Sequence, residues 1–259
     1  MSPHFDDVAL SCGGTVAAAV AAGHDPLIVT VFAGEPPPEQ PLSEFAQIIH
    51  ELMGWKGLAA AEVLRFRRSE DEAALRILQT RHVWLPHLDA PYRGPYTQPH
   101  AFRGPLHADD AELAARIAAD VLELWQATPD ATVYLPLGVG HHVDHRVCFA
   151  ITPILTRAGV RCWHYEDFPY AAWAVDAVDQ RLASVDTPFI ARSLDVTSHI
   201  DRRMAAIQCY RSQLAYLFPD QSDPARRARA FAESRSPSDG AFAERYWGSP
   251  STTWTSPLS

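Results

Sequence analysis

The chain has 259 residues, 47% of them hydrophobic, enough for one large domain with a real core and inconsistent with wholesale disorder. Lys and Arg number 22 against 31 Asp and Glu, and this formal net charge of -9 argues against a phosphate-backbone partner. No apolar run has membrane-spanning length and no basic leader precedes the first motif. Cys12, Cys148, Cys162 and Cys209 form no CxxC pair, so a cytoplasmic protein with reduced thiols and no membrane insertion is expected.

Val8 to Ala22 reads as an Ala-rich helix stopped by Gly23, and Pro26 to Phe32 as a buried strand. Ser43 to Met53 carries apolar residues at helical spacing before Gly54. Ser69 with Glu72 three residues on predicts a capping-box start for a helix to Gln79. Val83 to Leu85 is a short strand, Asp109 to Ala127 a long amphipathic helix and Thr132 to Leu135 a strand. Val143 to Arg157 is helical, Val160 to Tyr165 and Phe189 to Leu194 are strands, and Ser198 to Leu217 is a helix. Strands alternating with helices predict an α/β fold, Rossmann-like, with a mostly parallel sheet covered on both faces, in a single domain spanning 1–259. The segment 86–107, with Pro86, Pro91, Pro95, Pro99 and Pro105 among Tyr92, Arg93, Tyr96 and Arg103, is too long for a plain connector and is expected to be an active-site loop. Residues 250–259 are expected to form a loose tail.

Two clusters carry the chemistry. His4, Asp6 and Asp7 sit where a first strand would pass into the Val8 helix; that strand would be a stub, which raises the expectation of a shortened start. His141, His142, Asp144 and His145 follow the Thr132 strand. In a sheet of this type ligands lie beyond the carboxyl ends of the strands, so both clusters fall where a site is expected. His4, Asp7 and His145 make a two-His, one-carboxylate set that leaves a coordination position for water, as in catalytic zinc sites. A zinc-bound water has its pKa lowered from 15.7 to about 7. Asp6 is then spare to move a proton. His142 is placed to donate to an oxyanion and Asp144 to orient an imidazole. Each motif has a plainer reading: Asp6-Asp7 as a helix cap, His141-His142 as a solvated loop. Their joint occurrence at two strand ends favours the site.

Ser2-Pro3-His4-Phe5-Asp6-Asp7, followed by Leu10-Ser11-Cys12-Gly13-Gly14, resembles the opening motif of the PIG-L/LmbE-like zinc deacetylases, and His142-Val143-Asp144-His145 resembles their HxDH motif. Softer matches are Arg67 to Glu70 (RxxE), Asp89-Ala90-Pro91-Tyr92-Arg93 (a substrate-side loop), Tyr165 to Tyr170 (YEDxPY) and Tyr210 to Gln213 (YxSQ). Phe5 and Val143 stand at positions that are commonly proline in these motifs. The resemblance implies a Rossmann-like fold and removal of the acetyl group from an N-acetylglucosamine-type amide. The cofactor it implies is Zn2+, with Fe2+ or another divalent ion as an alternative. It implies His4, Asp7 and His145 as ligands, Asp6 as general base, His142 at the carbonyl, and Arg67 and Asp89 as substrate-binding residues. The expected partner is an N-acetylated amino-sugar or its conjugate, no nucleic acid is expected, and a homo-oligomer is left open. Two other readings compete: a non-haem Fe(II) oxygenase using His142-Val143-Asp144 as its HxD, and a non-catalytic metal-containing sugar-binding module.

Overall fold

The structure, a computed structural model, describes the chain except residues 95, 98–100, 103, 219, 221 and 257–259. Its strands are β1 (Leu27–Thr30), β2 (Arg81–Trp84), β3 (Thr132–Pro136), β4 (Arg161–Tyr165), β5 (Ile190–Asp195) and β6 (Ala243–Gly248). Its helices are α1 (Asp7–Ala21), α2 (Glu44–Leu52), α3 (Ala60–Leu78), α4 (Ala108–Gln126), α5 (Val143–Ala150), α6 (Thr152–Arg157), α7 (Ala177–Ala183), α8 (Ile200–Ile207), α9 (Arg211–Leu217) and α10 (Pro224–Ser234).

β1 pairs in parallel with β2, and β3 in parallel with β4; the order then runs through β6 to β5, both pairings antiparallel. The expected mostly parallel sheet is present, with antiparallel pairing among the named strands confined to β6 and its two neighbours. What joins its halves is the expected stub. Ser2 N donates to Val29 O (2.8 Å) and Val31 N to Ser2 O (2.8 Å), while Met1 N donates to Tyr134 O (2.6 Å). With the stub counted as strand 1, the parallel part has the order 3-2-1-4-5, the order of dinucleotide-binding α/β sheets. The reversal of direction falls between the stub and β3, and a crevice is expected there at the carboxyl ends.

Alternation along each strand feeds two cores. Ile28, Trp163 and Tyr165 join α1, α3 and α8 on one face, through Ala17, Leu75, Leu78, Met204 and Ile207. Val29, Leu135 and Cys162 join α4, α5 and α6 on the other, through Leu113, Ile117, Val147 and Leu155.

The boundaries show where local signals failed. α3 begins at Ala60, with Glu62 Oε2 accepting from Ala59 N (3.0 Å), and not at Ser69, whose hydroxyl donates to Phe66 O (2.7 Å) inside the helix. The helix expected over Val143 to Arg157 divides at Ile151, ahead of Pro153. The one expected over Ser198 to Leu217 breaks between Ile207 and Arg211. β6, α7 and α10 had no sequence prediction. In the expected tail, Trp254 packs its ring against those of Trp163 (4.6 Å) and Tyr246 (5.8 Å). Pro95, Pro99, His100 and Arg103 of the Pro-rich segment lie outside the described residues.

The Ser-Cys-Gly-Gly stretch has a specific job. Cys12 leaves helical geometry (φ -143°, ψ 24°), so the following turn loses its backbone partners. The Glu244 carboxylate of β6 accepts from Gly14 N (2.8 Å) and Thr15 N (2.7 Å), and Arg203 donates to Leu10 O while pairing with Glu244 (3.2 Å). A Cβ on Gly14 would sit 2.8 Å from both Glu244 Oε1 and Val196 Cβ, so glycine permits this approach. Glu244→Ala should therefore strand a buried guanidinium and two backbone donors. A loss of about 3–5 kcal/mol in the stability read from the urea midpoint is expected; an unchanged midpoint would show that the kink stabilises itself.

Candidate metal centre

The crevice at the topological reversal collects both clusters. Pro3 accepts from Phe32 N (2.9 Å) and ends the stub, so the next four residues turn above the sheet. Ser2 Oγ donates to His4 O (2.5 Å) and accepts from Val8 N (3.1 Å), fixing the turn into α1. Asp7 Oδ2 accepts from His4 N (2.7 Å). Asp6 occupies the N-cap position of α1, yet its side chain makes no capping bond and faces the crevice. The helix-cap reading of the Asp pair fails at Asp6 for that reason. From the other side, α5 starts at His142, whose Nδ1 accepts from Asp144 N (3.2 Å). One turn of α5 presents Asp144 and His145 to the same space.

One nitrogen of each ligand candidate is held by a carboxylate and the other is turned to Asp7. His4 Nε2 lies 3.0 Å from Asp144 Oδ2, and its Nδ1 lies 3.2 Å from Asp7 Oδ2. His145 Nδ1 lies 2.6 Å from Asp167 Oδ1, and its Nε2 lies 3.3 Å from Asp7 Oδ1. His145 Nε2 is buried and, among the described residues, without a hydrogen-bond partner. A carboxylate behind each imidazole and an orphaned buried nitrogen in front are what a divalent-metal site requires. One ligand atom each from His4, Asp7 and His145 lie within 4.8 Å of one another. His4, His142 and Asp144 meet the same distance criterion. There, however, Asp144 Oδ2 already accepts from Ala90 N (3.1 Å), Asp144 Oδ1 pairs with Arg93 (2.5 Å), and His142 Nδ1 is taken by the backbone. The first set fits a metal and the second does not, which also removes the geometric support for an HxD iron triad.

Burial and neighbouring charge set the protonation states. Burial pulls His4 down, but Asp89, Asp144 and Asp7 around it outweigh that and hold it well above its ordinary value. His145 is likewise opposed by burial and raised to about 9, by Asp7 and by the bond to Asp167. Asp7 is held well below the usual carboxylate range, against burial, by His145 and His4. Asp6 behaves oppositely: burial first, and then the charge of Asp7, raise it to about 6. Burial, helped by His4, lowers His142 to about 3, so that ring is neutral. With Nδ1 accepting, its one proton sits on Nε2.

Arg67 and Asp89 meet 2.9 Å apart on the crevice wall, and Asp89 Oδ1 lies 3.5 Å from His4 Nε2. The register ambiguity between Arg67 and Arg68 resolves: Arg67 faces the crevice, while Arg68 donates to Ala33 O and lies over Trp84. The crevice is partly open to solvent. Beyond the charged floor its walls are apolar: Phe45 and Ile49 of α2, Met53 just after it, Phe102, Tyr170 and Leu217. Asp89 and Pro91 bring the start of the Pro-rich segment into this wall, tied to α2 by Tyr92 OH against His50 Nε2 (2.7 Å) and by Ser43 Oγ donating to Pro91 O (2.7 Å). Sequence reasoning assigned no role to Asp167, Gln213 or the α2 wall. Asp167 had a usable signal, an acidic residue just past a strand end. The α2 residues read only as a helix face.

A family model described as PIG-L: GlcNAc-PI de-N-acetylase matches residues 1–156. The chain is 31% identical over 220 residues to a 2'-N-acetylparomamine deacetylase of Streptomyces fradiae, covering 82% of this chain and 72% of that protein. It superimposes on the crystal structure of the A40926 pseudoaglycone deacetylase Dbv21 with a TM-score of 0.79 at 26% identity, over 98% of this chain and 97% of that one. The zinc-inhibited form of teicoplanin deacetylase Orf2 gives 0.79 at 26% identity, over 95% of each chain.

Because His4 and His145 are held protonated without metal, a divalent ion must displace their protons. Metal binding at pH 7.5 should release more than one proton per site, and affinity should fall as the pH drops from 9 towards 6. Calorimetry in two buffers of different ionisation enthalpy reads the number directly; no proton release would contradict the assigned ligands.

Proposed function

The chain belongs to the PIG-L family and is a hydrolytic N-deacetylase, and from that premise we propose that it removes the acetyl group from an N-acetylated amino-sugar conjugate at the His4–Asp7–His145 centre. The observation that carries the reading is the pair of carboxylate-backed imidazoles converging on Asp7, with a second, uncommitted carboxylate beside them. His4, Asp7 and His145 would hold the divalent ion; three ligands from nitrogen and oxygen suit Zn2+, with Fe2+ as the alternative. Bound there, the ion would acidify a water and polarise the amide carbonyl.

The chain's own residues do the rest. Asp6, raised to about 6, is ionised at neutral pH yet basic enough to take a proton from water. It returns that proton to the departing amine, so acetate and the free amino-sugar leave and Asp6 is restored. His142, neutral with its proton on Nε2, donates to the carbonyl oxygen as negative charge develops there. A neutral donor suits this role, since it stabilises the oxyanion without surrendering its proton. Arg67 and Asp89 are positioned to bond sugar hydroxyls. The apolar walls of Phe45, Ile49, Met53 and Leu217 support a substrate with apolar surface beyond the sugar. Residues 86–107 serve as the loop of this site, since Asp89, Pro91 and Phe102 line it. A binding-module role is disfavoured by the three-ligand set and by Asp6, for which a structural metal has no use. Four free cysteines and the lack, among the described residues, of any helix able to cross a membrane support a cytoplasmic enzyme.

Asp6→Asn should leave metal content at the wild-type level and lower kcat for acetate release by about 10²–10⁴-fold; near-normal turnover would remove Asp6 as the base. Asp6 works ionised, so kcat/KM should fall as the pH drops through its titration, at or below about 6 because a bound cation lowers it further. That acid limb should vanish in Asp6→Asn.

A further inference from the structure

The loop motif Asp89-Ala90-Pro91-Tyr92-Arg93 ends in an arginine that does not face the crevice. Arg93 turns to the opposite side of Asp144 and lines a second cavity, with His87, Leu88 and Tyr96. Its guanidinium lies over the Phe32 ring (4.7 Å to the centroid), donates to Leu88 O (3.0 Å) and reaches Asp144 Oδ1 at 2.5 Å. Asp144 has no exposed surface. Its other oxygen contacts Ala90 N (3.1 Å) and His4 Nε2 (3.0 Å). One five-residue loop thus grips this carboxylate at both oxygens, by a backbone donor at Ala90 and by a cation at Arg93. Neither Arg93 Nη2 nor Asp144 Oδ1 has an aligned hydrogen-bond partner, so the coupling between them is one of charge at contact distance.

We propose that Arg93 is a positioning residue for the metal centre, acting through Asp144 on the orientation of the His4 imidazole. The inference rests on the reading of His4 as a ligand. The Asp144 carboxylate fixes which His4 nitrogen faces Asp7. Arg93 in turn fixes the carboxylate from the side of the second cavity, away from the crevice. Removing that cation leaves Asp144 Oδ1 buried without a counter-charge; the carboxylate shifts and His4 loses its backing. Outer partners of ligating histidines typically control metal affinity by about 10–100-fold.

The test measures Zn2+ and, separately, Co2+ affinity by chelator competition in wild type, Arg93→Met, Arg93→Lys, Asp144→Asn and the Arg93→Met/Asp144→Asn double variant, with thermal unfolding of each metal-free protein. Arg93→Met should weaken binding by about 10–100-fold, and Arg93→Lys, which keeps the charge, should recover most of it. The double variant should bind about as weakly as the weaker single variant, because both changes break one chain of contacts. Wild-type affinity in Arg93→Met, or additive losses in the double variant, would overturn the proposal. If Arg93→Met does not fold, Arg93→Gln against Arg93→Lys decides: loss in Gln with retention in Lys supports it, and equal affinity overturns it. Absence of metal binding in the wild type would instead overturn the metal-centre reading.

Discussion

A surplus of buried negative charge governs this structure. Asp6, Asp7, Asp89, Asp144 and Asp167 are all nearly inaccessible to water and converge around one crevice, with Arg67 and Arg93 as the fixed cations in contact with them. Carboxylates cannot be buried together without compensation. In the metal-free protein, protons on His4 and His145 supply it, which is why both are held above their ordinary range. A divalent cation can take the place of those protons at the point where the free nitrogens meet Asp7. The same demand sets Asp6 apart. Among the described residues no cation pairs with it, and burial and the neighbouring Asp7 raise it to about 6, so it can exchange a proton near neutrality.

The sheet makes this crowding possible. The stub at residues 1–3 is held on one side by β1 and on the other by β3, and the chain leaves it directly into the crevice. Strand order reverses at that point, so the turns after the stub and after β3 diverge to opposite faces and open a gap between them. His4, Asp6 and Asp7 enter from one lip and His142, Asp144 and His145 from the other. Asp167 arrives from the end of β4, the next strand over, and backs His145. The kink at Cys12, braced by Glu244 and Arg203, lets α1 start at the metal centre and still pack along the sheet. Glycines at 13 and 14 serve that bracing and have no part in the chemistry.

The relatives named above are described as deacetylases of 2'-N-acetylparomamine, of A40926 pseudoaglycone and of teicoplanin. What the solved structures share with this chain is the fold, with TM-scores of 0.79, and function in such folds lies in the particular site built on them. Here the walls come from α2, α9 and the loop after β2, which are elements outside the parallel sheet. The charged floor and the apolar walls therefore come from different parts of the chain.

The two metal motifs, the alternation of strands and helices, and the position of both clusters at strand ends were legible in the sequence, because metal ligation demands particular residue types and a half-buried strand demands period-two or apolar patterning. Family resemblance alone pointed to Arg67 and Asp89, and both line the crevice. Local signals misled where tertiary contacts outweighed them: Ser69 bonds its own helix, and β6 with Trp254 is defined only by what it packs against. No sequence pattern could show that Asp144 backs His4, that Asp167 backs His145, that Arg93 reaches Asp144, or that Arg67 pairs with Asp89. Those pairings join residues 140, 22, 51 and 22 positions apart. Residue type and local periodicity determined what this protein can hold. Only the folded sheet, by bringing distant strand ends to one crevice, decided which group holds which.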